Sequence, residues 1–144
     1  MGPVQLPATF ESCEIRTVKE ARVLVVDDEP IVRDVLCDIL ENEGYVVAAA
    51  GSATAALETA EPGDFDVLIA DLRMPDMSGL ELIKKFRERD PHIVPLLITG
   101  TPSAECVAAV AEDAIADCLV KPVGKARLCA VVANALLRKR RLEL

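Results

Sequence analysis

A short apolar run that ends directly at an acidic residue constrains this chain more than any other stretch. Residues 67–70 read VLIA, a run too short for a helix and apolar on both alternating faces, which is typical of a parallel strand covered on both sides. Asp71 follows at once, so its carboxylate is predicted at the C-terminal edge of that strand, where open α/β sheets bind ligands. Pro75 then interrupts regular structure, and Ser78 with Glu81 forms a capping box that predicts a helix start. Taken alone, the stretch also fits an aspartate that only serves the turn.

The remaining sequence repeats this alternation of buried strands and amphipathic helices. Further strands are predicted at 22–26, 45–49, 95–98 and 116–120, and helices at about 30–43, 53–60, 79–89, 102–113 and 125–141. Five strands that alternate with five helices predict an α/β fold with one parallel sheet. Right-handed crossovers place helices on both faces of that sheet, which makes it doubly wound.

Two helix predictions carry detail that a structure can test. After Pro30, six apolar residues are expected to share one face of the first helix: Ile31, Val32, Val35, Leu36, Ile39 and Leu40. In the fourth helix, Thr101 is the expected N-cap and Pro102 the first helical residue, with the helix ending near Asp113.

Length and composition bound the class of protein. The 144 residues suit one domain, predicted at 21–141, with a flexible leader at 1–20 and a short tail at 142–144. The net charge of −8 argues against nucleic-acid binding by this chain, and no apolar run is long enough to span a membrane. Five scattered cysteines without a C-x-x-C pair are interpreted as reduced core residues of a cytoplasmic protein.

Polar residues follow four of the predicted strands. Asp27 and Asp28 end the first strand, Asp71 the third, Thr99 the fourth and Lys121 the fifth. Because parallel strands end at the same edge of a sheet, these side chains are expected to converge. Three carboxylates in one pocket repel each other unless a cation joins them, and ligands that are all oxygen select a hard ion, here expected to be Mg²⁺.

The predicted pocket matches the needs of a phosphoryl group. A metal ion, the Lys121 ammonium and the Thr99 hydroxyl would surround its charge, and Asp71 would be the nucleophile that forms an aspartyl phosphate. Each residue also has a plainer interpretation: Asp27 and Asp28 could favour a helix N-terminus, Thr99 could simply end a strand, and Lys121 could be solvated beside a turn proline.

Four motifs in order resemble the receiver domain of bacterial two-component response regulators. They read LVVDDEP, DLRMPDMSG, LLITG and LVKP, and the resemblance covers about residues 21–138. It implies a flavodoxin-like (βα)5 fold with strand order 2-1-3-4-5. It also implies a signalling switch that catalyses only its own phosphorylation and dephosphorylation, with a histidine kinase or a phosphotransfer protein as donor.

The resemblance assigns roles to individual residues. Asp71 would accept the phosphoryl group; Asp28, Asp71 and the backbone carbonyl of Arg73 would bind Mg²⁺, and Asp27 would assist through water. Thr99 and Lys121 would bind the phosphoryl group, and the peptide bond before Pro122 would be cis. The surface of the fourth helix, fifth strand and fifth helix would change its partner preference, with a homodimer or an output protein as possible partners through the last two helices.

One position departs from the family pattern. Cys118 stands three residues before Lys121, where the family usually has an aromatic side chain whose rotation follows the threonine, so the relay from Thr99 to the surface is in doubt. Arg73 is expected to alter the lifetime of the phosphoryl group. Two alternatives stay open: a phosphatase of the haloacid dehalogenase type, in which a second aspartate would replace Arg73, and a receiver-like module that only makes contacts.

Overall fold

The computed structural model describes residues 21–143, with side chains described as far as Lys139. Within these residues five strands alternate with five helices. In chain order they are β1 (Arg22–Val26), α1 (Pro30–Asn42), β2 (Val46–Ala50), α2 (Ala53–Thr59), β3 (Val67–Asp71), α3 (Gly79–Arg89), β4 (Val94–Thr99), α4 (Ala104–Ala111), β5 (Asp117–Val120) and α5 (Lys125–Glu143).

The strands form one parallel sheet in the order β2-β1-β3-β4-β5, which confirms the predicted fold class and topology. The register pairs Val26 with Ala70 and Asp71 with Ile98. The residues that follow β1 and end β3 therefore lie side by side at the C-terminal edge of the sheet.

Aliphatic side chains fill the space on both faces of the sheet. One cluster packs α1 and α5 against the sheet, through residues such as Leu40 and Leu128. The other packs α2, α3 and α4, through residues such as Ala56, Leu82 and Cys106. Every residue of β3 and β4 is buried, as expected for central parallel strands covered on both sides. The sheet is thus a rigid support whose polar groups emerge only at its ends.

The predicted N-cap residues of two helices are confirmed. Ser52 caps α2 by accepting a hydrogen bond from Ala55 N, and Ser78 caps α3 by accepting one from Glu81 N. The side-chain oxygen in each case satisfies a backbone donor that the first turn leaves unpaired.

The predicted apolar face of α1 is too wide. Leu36 and Leu40 are buried, but Ile31 is 78% exposed and Val35 47% exposed. The two exposed residues lie one turn apart, on a side of the helix that the sheet does not cover. The helix therefore buries a narrower stripe than its sequence pattern suggests.

The predicted start of α4 is also wrong by two residues. Ser103, not Thr101, is the N-cap, and it accepts a hydrogen bond from Cys106 N. Thr101 is instead held in a turn, because its backbone N–H and C=O both bond to the Thr99 hydroxyl. The helix ends at Ala111, and Asp113 adopts a left-handed φ of 63° that no helix can continue through.

The domain bounds stay a prediction. The leader at 1–20 lies outside the described residues, and α5 continues to Glu143, past the expected end at 141. Among the helices of residues 21–143, none combines the length and the apolar character that crossing a membrane requires.

Candidate functional site: an acidic pocket at the sheet edge

Three aspartates from two neighbouring strands converge where the sheet ends. Asp27 and Asp28 follow β1, and Asp71 is the last residue of β3. One carboxylate oxygen from each lies within 4.8 Å of the others. Asp27 and Asp71 are buried, whereas Asp28 is the more exposed of the three. The predicted convergence of these acids is thus present in the fold.

Asp27 is held rigidly, yet one of its oxygens lacks a donor. Its Oδ1 accepts a hydrogen bond from Glu29 N at 2.8 Å, and its backbone carbonyl accepts one from Arg33 Nη1 at 2.7 Å. Its Oδ2 is buried and accepts no well-directed hydrogen bond from the described residues, although Lys121 Nζ lies 3.1 Å away. A buried carboxylate oxygen without a hydrogen bond fits a pocket that receives a cation.

Asp71 lies between the positive charge of Lys121 and the negative charge of Asp27. Its Oδ2 lies 3.2 Å from Lys121 Nζ, and its Oδ1 accepts a hydrogen bond from Arg73 N at 3.3 Å. Burial, followed by repulsion from Asp27, raises the pKa of Asp71 above its ordinary value, and Lys121 only partly offsets this. The pocket therefore has a surplus of negative charge that one lysine does not neutralise.

Lys121 joins three carboxylates. Its Nζ lies 2.6 Å from Glu29 Oε1, 3.1 Å from Asp27 Oδ2 and 3.2 Å from Asp71 Oδ2. Burial by itself lowers the pKa of Lys121, but its ion pairs with Glu29 and Asp27 outweigh burial and raise the pKa overall. The lysine follows β5, where its backbone N–H donates to Thr99 O at 2.8 Å, and its peptide bond to Pro122 is cis.

Thr99 ends β4 at the same edge and is buried. Its hydroxyl donates to Thr101 O at 3.1 Å and accepts from Thr101 N at 3.2 Å. The hydroxyl is therefore satisfied by the following loop in this arrangement. To bind a group on Asp71, it would have to exchange this bond to the Thr101 carbonyl.

Arg73 and Cys118 lie around the pocket in different ways. Arg73 has an exposed side chain, and the contact it makes with Asp71 comes from its backbone N–H. Cys118 lies in β5, where its thiol contacts that of Cys106 in α4. Burial, with further contributions from Cys106, raises the pKa of Cys118 to about 12, so its thiol is neutral at physiological pH.

Sequence reasoning missed two residues that shape the site. Glu29 contacts Lys121, and Arg33 holds the backbone of Asp27. Asp76, in the loop after β3, accepts hydrogen bonds outside the pocket, from Thr54 N at 2.9 Å and Thr54 Oγ1 at 2.8 Å. Glu29 adjoins the two aspartates and Arg33 is one helical turn further on, so closeness in sequence could have drawn attention to both.

The donor set defines what the pocket can bind. The ligand atoms offered by the three aspartates are all oxygens, and a lysine lies beside them, an arrangement that suits a hard divalent cation and an anionic oxygen next to it. A doubly wound parallel sheet with a candidate cation pocket at its C-terminal edge defines the class: a flavodoxin-like α/β domain.

Comparison with known proteins identifies the family. The sequence pattern of the response regulator receiver domain matches residues 23–133. The transcriptional regulatory protein FixJ of Azorhizobium caulinodans is 35% identical over 116 residues, which cover 81% of this chain and 55% of FixJ. The response regulator protein FleR of Pseudomonas aeruginosa is 35% identical over 117 residues, or 81% of this chain and 25% of FleR.

Solved structures agree with this assignment. A CheY-like response regulator receiver domain protein from Methanospirillum hungatei has a TM-score of 0.79 at 29% identity, covering 85% of this chain and 98% of that one. The response regulator protein TrrA from Thermotoga maritima, solved in complex with Mg²⁺-BeF, has a TM-score of 0.71 at 31% identity, covering 81% and 99%.

The chain therefore belongs to the response regulator receiver domain family of two-component signal transduction. The matched residues of this chain span 55% of FixJ and 25% of FleR. The rest of those two proteins lies outside the match.

Proposed function

We propose that this receiver domain is a phosphorylation-activated switch in the cytoplasm and that Asp71 is its phosphoacceptor. The observation that carries the proposal is the shared pocket. Oxygens of Asp27, Asp28 and Asp71 lie within 4.8 Å of each other, and Lys121 is 3.2 Å from Asp71. The surplus negative charge explains why Asp71 needs a cation before it can approach an anionic donor.

The donor class is a phosphohistidine on a sensor histidine kinase or a phosphotransfer protein. A carboxylate oxygen of Asp71 attacks the phosphorus atom, a new P–O bond forms, the P–N bond breaks, and the imidazole leaves with the electron pair. Lys121 binds a phosphoryl oxygen through Nζ, and Thr99 donates its hydroxyl to another. Beyond forming and hydrolysing its own acyl phosphate, the domain has no catalytic role.

Mg²⁺ fits the oxygen ligands of the pocket and, when bound, neutralises part of the charge on the transferred group. Asp28, Asp71 and the backbone carbonyl of Arg73 would hold the ion, and Asp27 would assist through water. The buried Asp27 Oδ2 without a hydrogen bond supports this assignment. The similarity of this chain to TrrA, which was solved in complex with Mg²⁺-BeF, also supports the assignment.

The output surface lies on α4, β5 and α5. Val107, Val110 and Val120 are 70%, 40% and 46% exposed there, which suits contact with a second copy or an output protein through the last two helices. Because Cys118 is smaller than an aromatic residue, the movement of Thr99 reaches this surface by displacing the loop at Thr101, to which its hydroxyl is bonded. The exposed Arg73 side chain alters phosphoryl lifetime at the pocket entrance.

Phosphorylation with a small donor tests the proposal. The wild-type chain is incubated with acetyl phosphate and Mg²⁺, and intact-mass spectrometry follows the addition of one phosphoryl group. Asp71→Asn is expected to abolish uptake, whereas Asp76→Asn, which changes an acid of the same loop that binds Thr54 instead, should retain it. Phosphate located by peptide mapping on a residue other than Asp71 would refute the assignment.

The same assay separates the two alternatives. Repeated turnover of unrelated phosphoesters would indicate a phosphatase, and no uptake of acetyl phosphate or beryllofluoride would indicate a module used only for contacts. The family match does not favour either of them.

A further inference from the structure

Of the three acidic partners of Lys121, Glu29 lies closest to its ammonium group. Glu29 Oε1 lies 2.6 Å from Lys121 Nζ, against 3.1 Å for Asp27 and 3.2 Å for Asp71. Glu29 is also the most exposed of these partners: its side chain is 59% exposed, compared with 0% for Asp27 and 7% for Asp71. The lysine is thus shared between two buried acids and one at the solvent boundary.

The Glu29 side chain does not serve the helix that it precedes. Glu29 is the N-cap residue of α1, but its side chain makes no capping hydrogen bond. Its backbone is fixed independently, because its N–H donates to Asp27 Oδ1 at 2.8 Å and its carbonyl accepts from Arg33 N at 3.0 Å. Replacing only the side-chain carboxylate therefore leaves the backbone of the β1–α1 loop with the same hydrogen bonds.

We propose that Glu29 is a positioning residue that competes with the phosphoryl group for Lys121 and so restrains activation of the domain. This inference rests on the proposed function. In the unmodified domain, Glu29 holds Nζ at the solvent side of the pocket. When a phosphoryl group is bonded to Asp71, that carboxylate loses its charge, and the phosphoryl oxygens compete with Asp27 and Glu29 for the Lys121 ammonium.

Exposure decides which partner is released. Separating Lys121 from the buried Asp27 carboxylate leaves a charge without water or a partner, which is costly. Separating it from Glu29 returns a half-exposed carboxylate to solvent, and ion pairs of that kind contribute little. Glu29 is consequently the partner that gives way, and its ion pair is lost each time the phosphoryl group is bound.

Binding of beryllofluoride at saturating Mg²⁺ tests the inference on the full chain by isothermal titration calorimetry. Glu29→Gln keeps the length of the side chain and removes its charge, while Glu29→Asp keeps the charge but is one methylene too short for the 2.6 Å contact. Both variants are expected to bind beryllofluoride about threefold to fivefold more tightly than wild type, the size of one partly exposed ion pair. Glu41→Gln, an exposed acid near the other end of α1, is the matched control and should bind like wild type.

Salt distinguishes competition from a loosened loop. The gain for Glu29→Gln should shrink as sodium chloride is raised from low to physiological concentration and beyond, because screening weakens the ion pair that wild type has to break. Wild-type affinity in Glu29→Gln, or in Glu29→Asp, would overturn the inference, as would a gain that salt does not change. Failure of the wild-type chain itself to bind beryllofluoride would instead overturn the proposed function.

Discussion

Gly79 packs directly against the backbone of Asp71. A Cβ atom on Gly79 would lie 2.4 Å from the carbonyl oxygen of Asp71 and 2.9 Å from Leu97 Cδ2. The glycine N–H also donates to Leu72 O at 2.9 Å. The first turn of α3 is therefore fitted to the end of β3, with no room for a side chain between them.

Gly79→Ala should accordingly displace the backbone at Asp71. Because the nearest neighbour is a main-chain oxygen, which cannot rotate away, we expect a loss of about 1–3 kcal/mol in the free energy of unfolding. Urea denaturation measures the loss, and acetyl phosphate labelling should slow in the same variant. Gly100→Ala is the control, since a Cβ there meets nothing within 4 Å. Equal stability of the two variants would contradict the predicted close contact.

Removing the pocket lysine should destabilise the domain in a manner that Mg²⁺ reverses. Lys121→Met leaves Asp27 and Asp71 buried without their cation, so we expect a loss of about 2–3 kcal/mol in EDTA. A divalent ion restores part of the missing positive charge, and the thermal midpoint should rise more on adding Mg²⁺ to this variant than to wild type. Lys85→Met, on the exposed side of α3, should show no such difference. An Mg²⁺ response equal to that of wild type would argue against a shared pocket.

The Cys118 thiol should resist alkylation in the folded protein. With a pKa of about 12, only about one molecule in ten thousand carries the thiolate at pH 8. Iodoacetamide followed by peptide mass spectrometry should therefore modify Cys118 far more slowly in the native state than in guanidinium chloride. Raising the pH from 8 to 10 should accelerate native labelling about tenfold per pH unit. Fast labelling at pH 8 would show that the thiol is not desolvated.

The hydrogen bonds between Asp76 and Thr54 should make a small contribution to the free energy of unfolding that depends on pH. Hydrogen bonds from Thr54 N, with a further one from Thr54 Oγ1, hold the pKa of Asp76 below its ordinary value. A carboxylate with a lowered folded pKa stabilises the fold above its unfolded pKa of about 3.9, and this stabilisation disappears as the pH falls through the folded value.

Asp76→Ala should therefore lower the free energy of unfolding by less than about 1 kcal/mol at pH 7, because the group is exposed. The difference from wild type should narrow as the pH is lowered from 4 towards 2, as measured by urea denaturation at each pH. Asp34→Ala, an exposed acid on α1, provides the comparison. A difference that stays constant across this range would exclude the carboxylate as its source.

The sequence predicted those features that depend on neighbouring residues or on strand ends. Apolar runs located the strands, and the acids directly after β1 and β3 had to meet because parallel strands share an edge. Ser52 and Ser78 were recognisable as caps for the same local reason. The strand order came from the resemblance, since alternation alone does not fix it.

Contacts between distant segments could not be read from the chain. Glu29 and Lys121 are 92 residues apart, and nothing in the DDEP motif indicates that its glutamate reaches a lysine after β5. The exposure of Ile31 on α1 could not be predicted for the same reason. Periodicity reports which residues share a face, but the width of the surface that covers that face is set by tertiary packing.

Because β3 and β4 are completely buried, the acidic pocket and the exposed surface of α4 and β5 are built from different residues. Reactive groups project only from the tips of the strands, and α4 and β5 carry Val107, Val110 and Val120 outward. Under the proposed function, substitutions among these outward residues would change which protein is recognised without altering the electrostatics around Asp71.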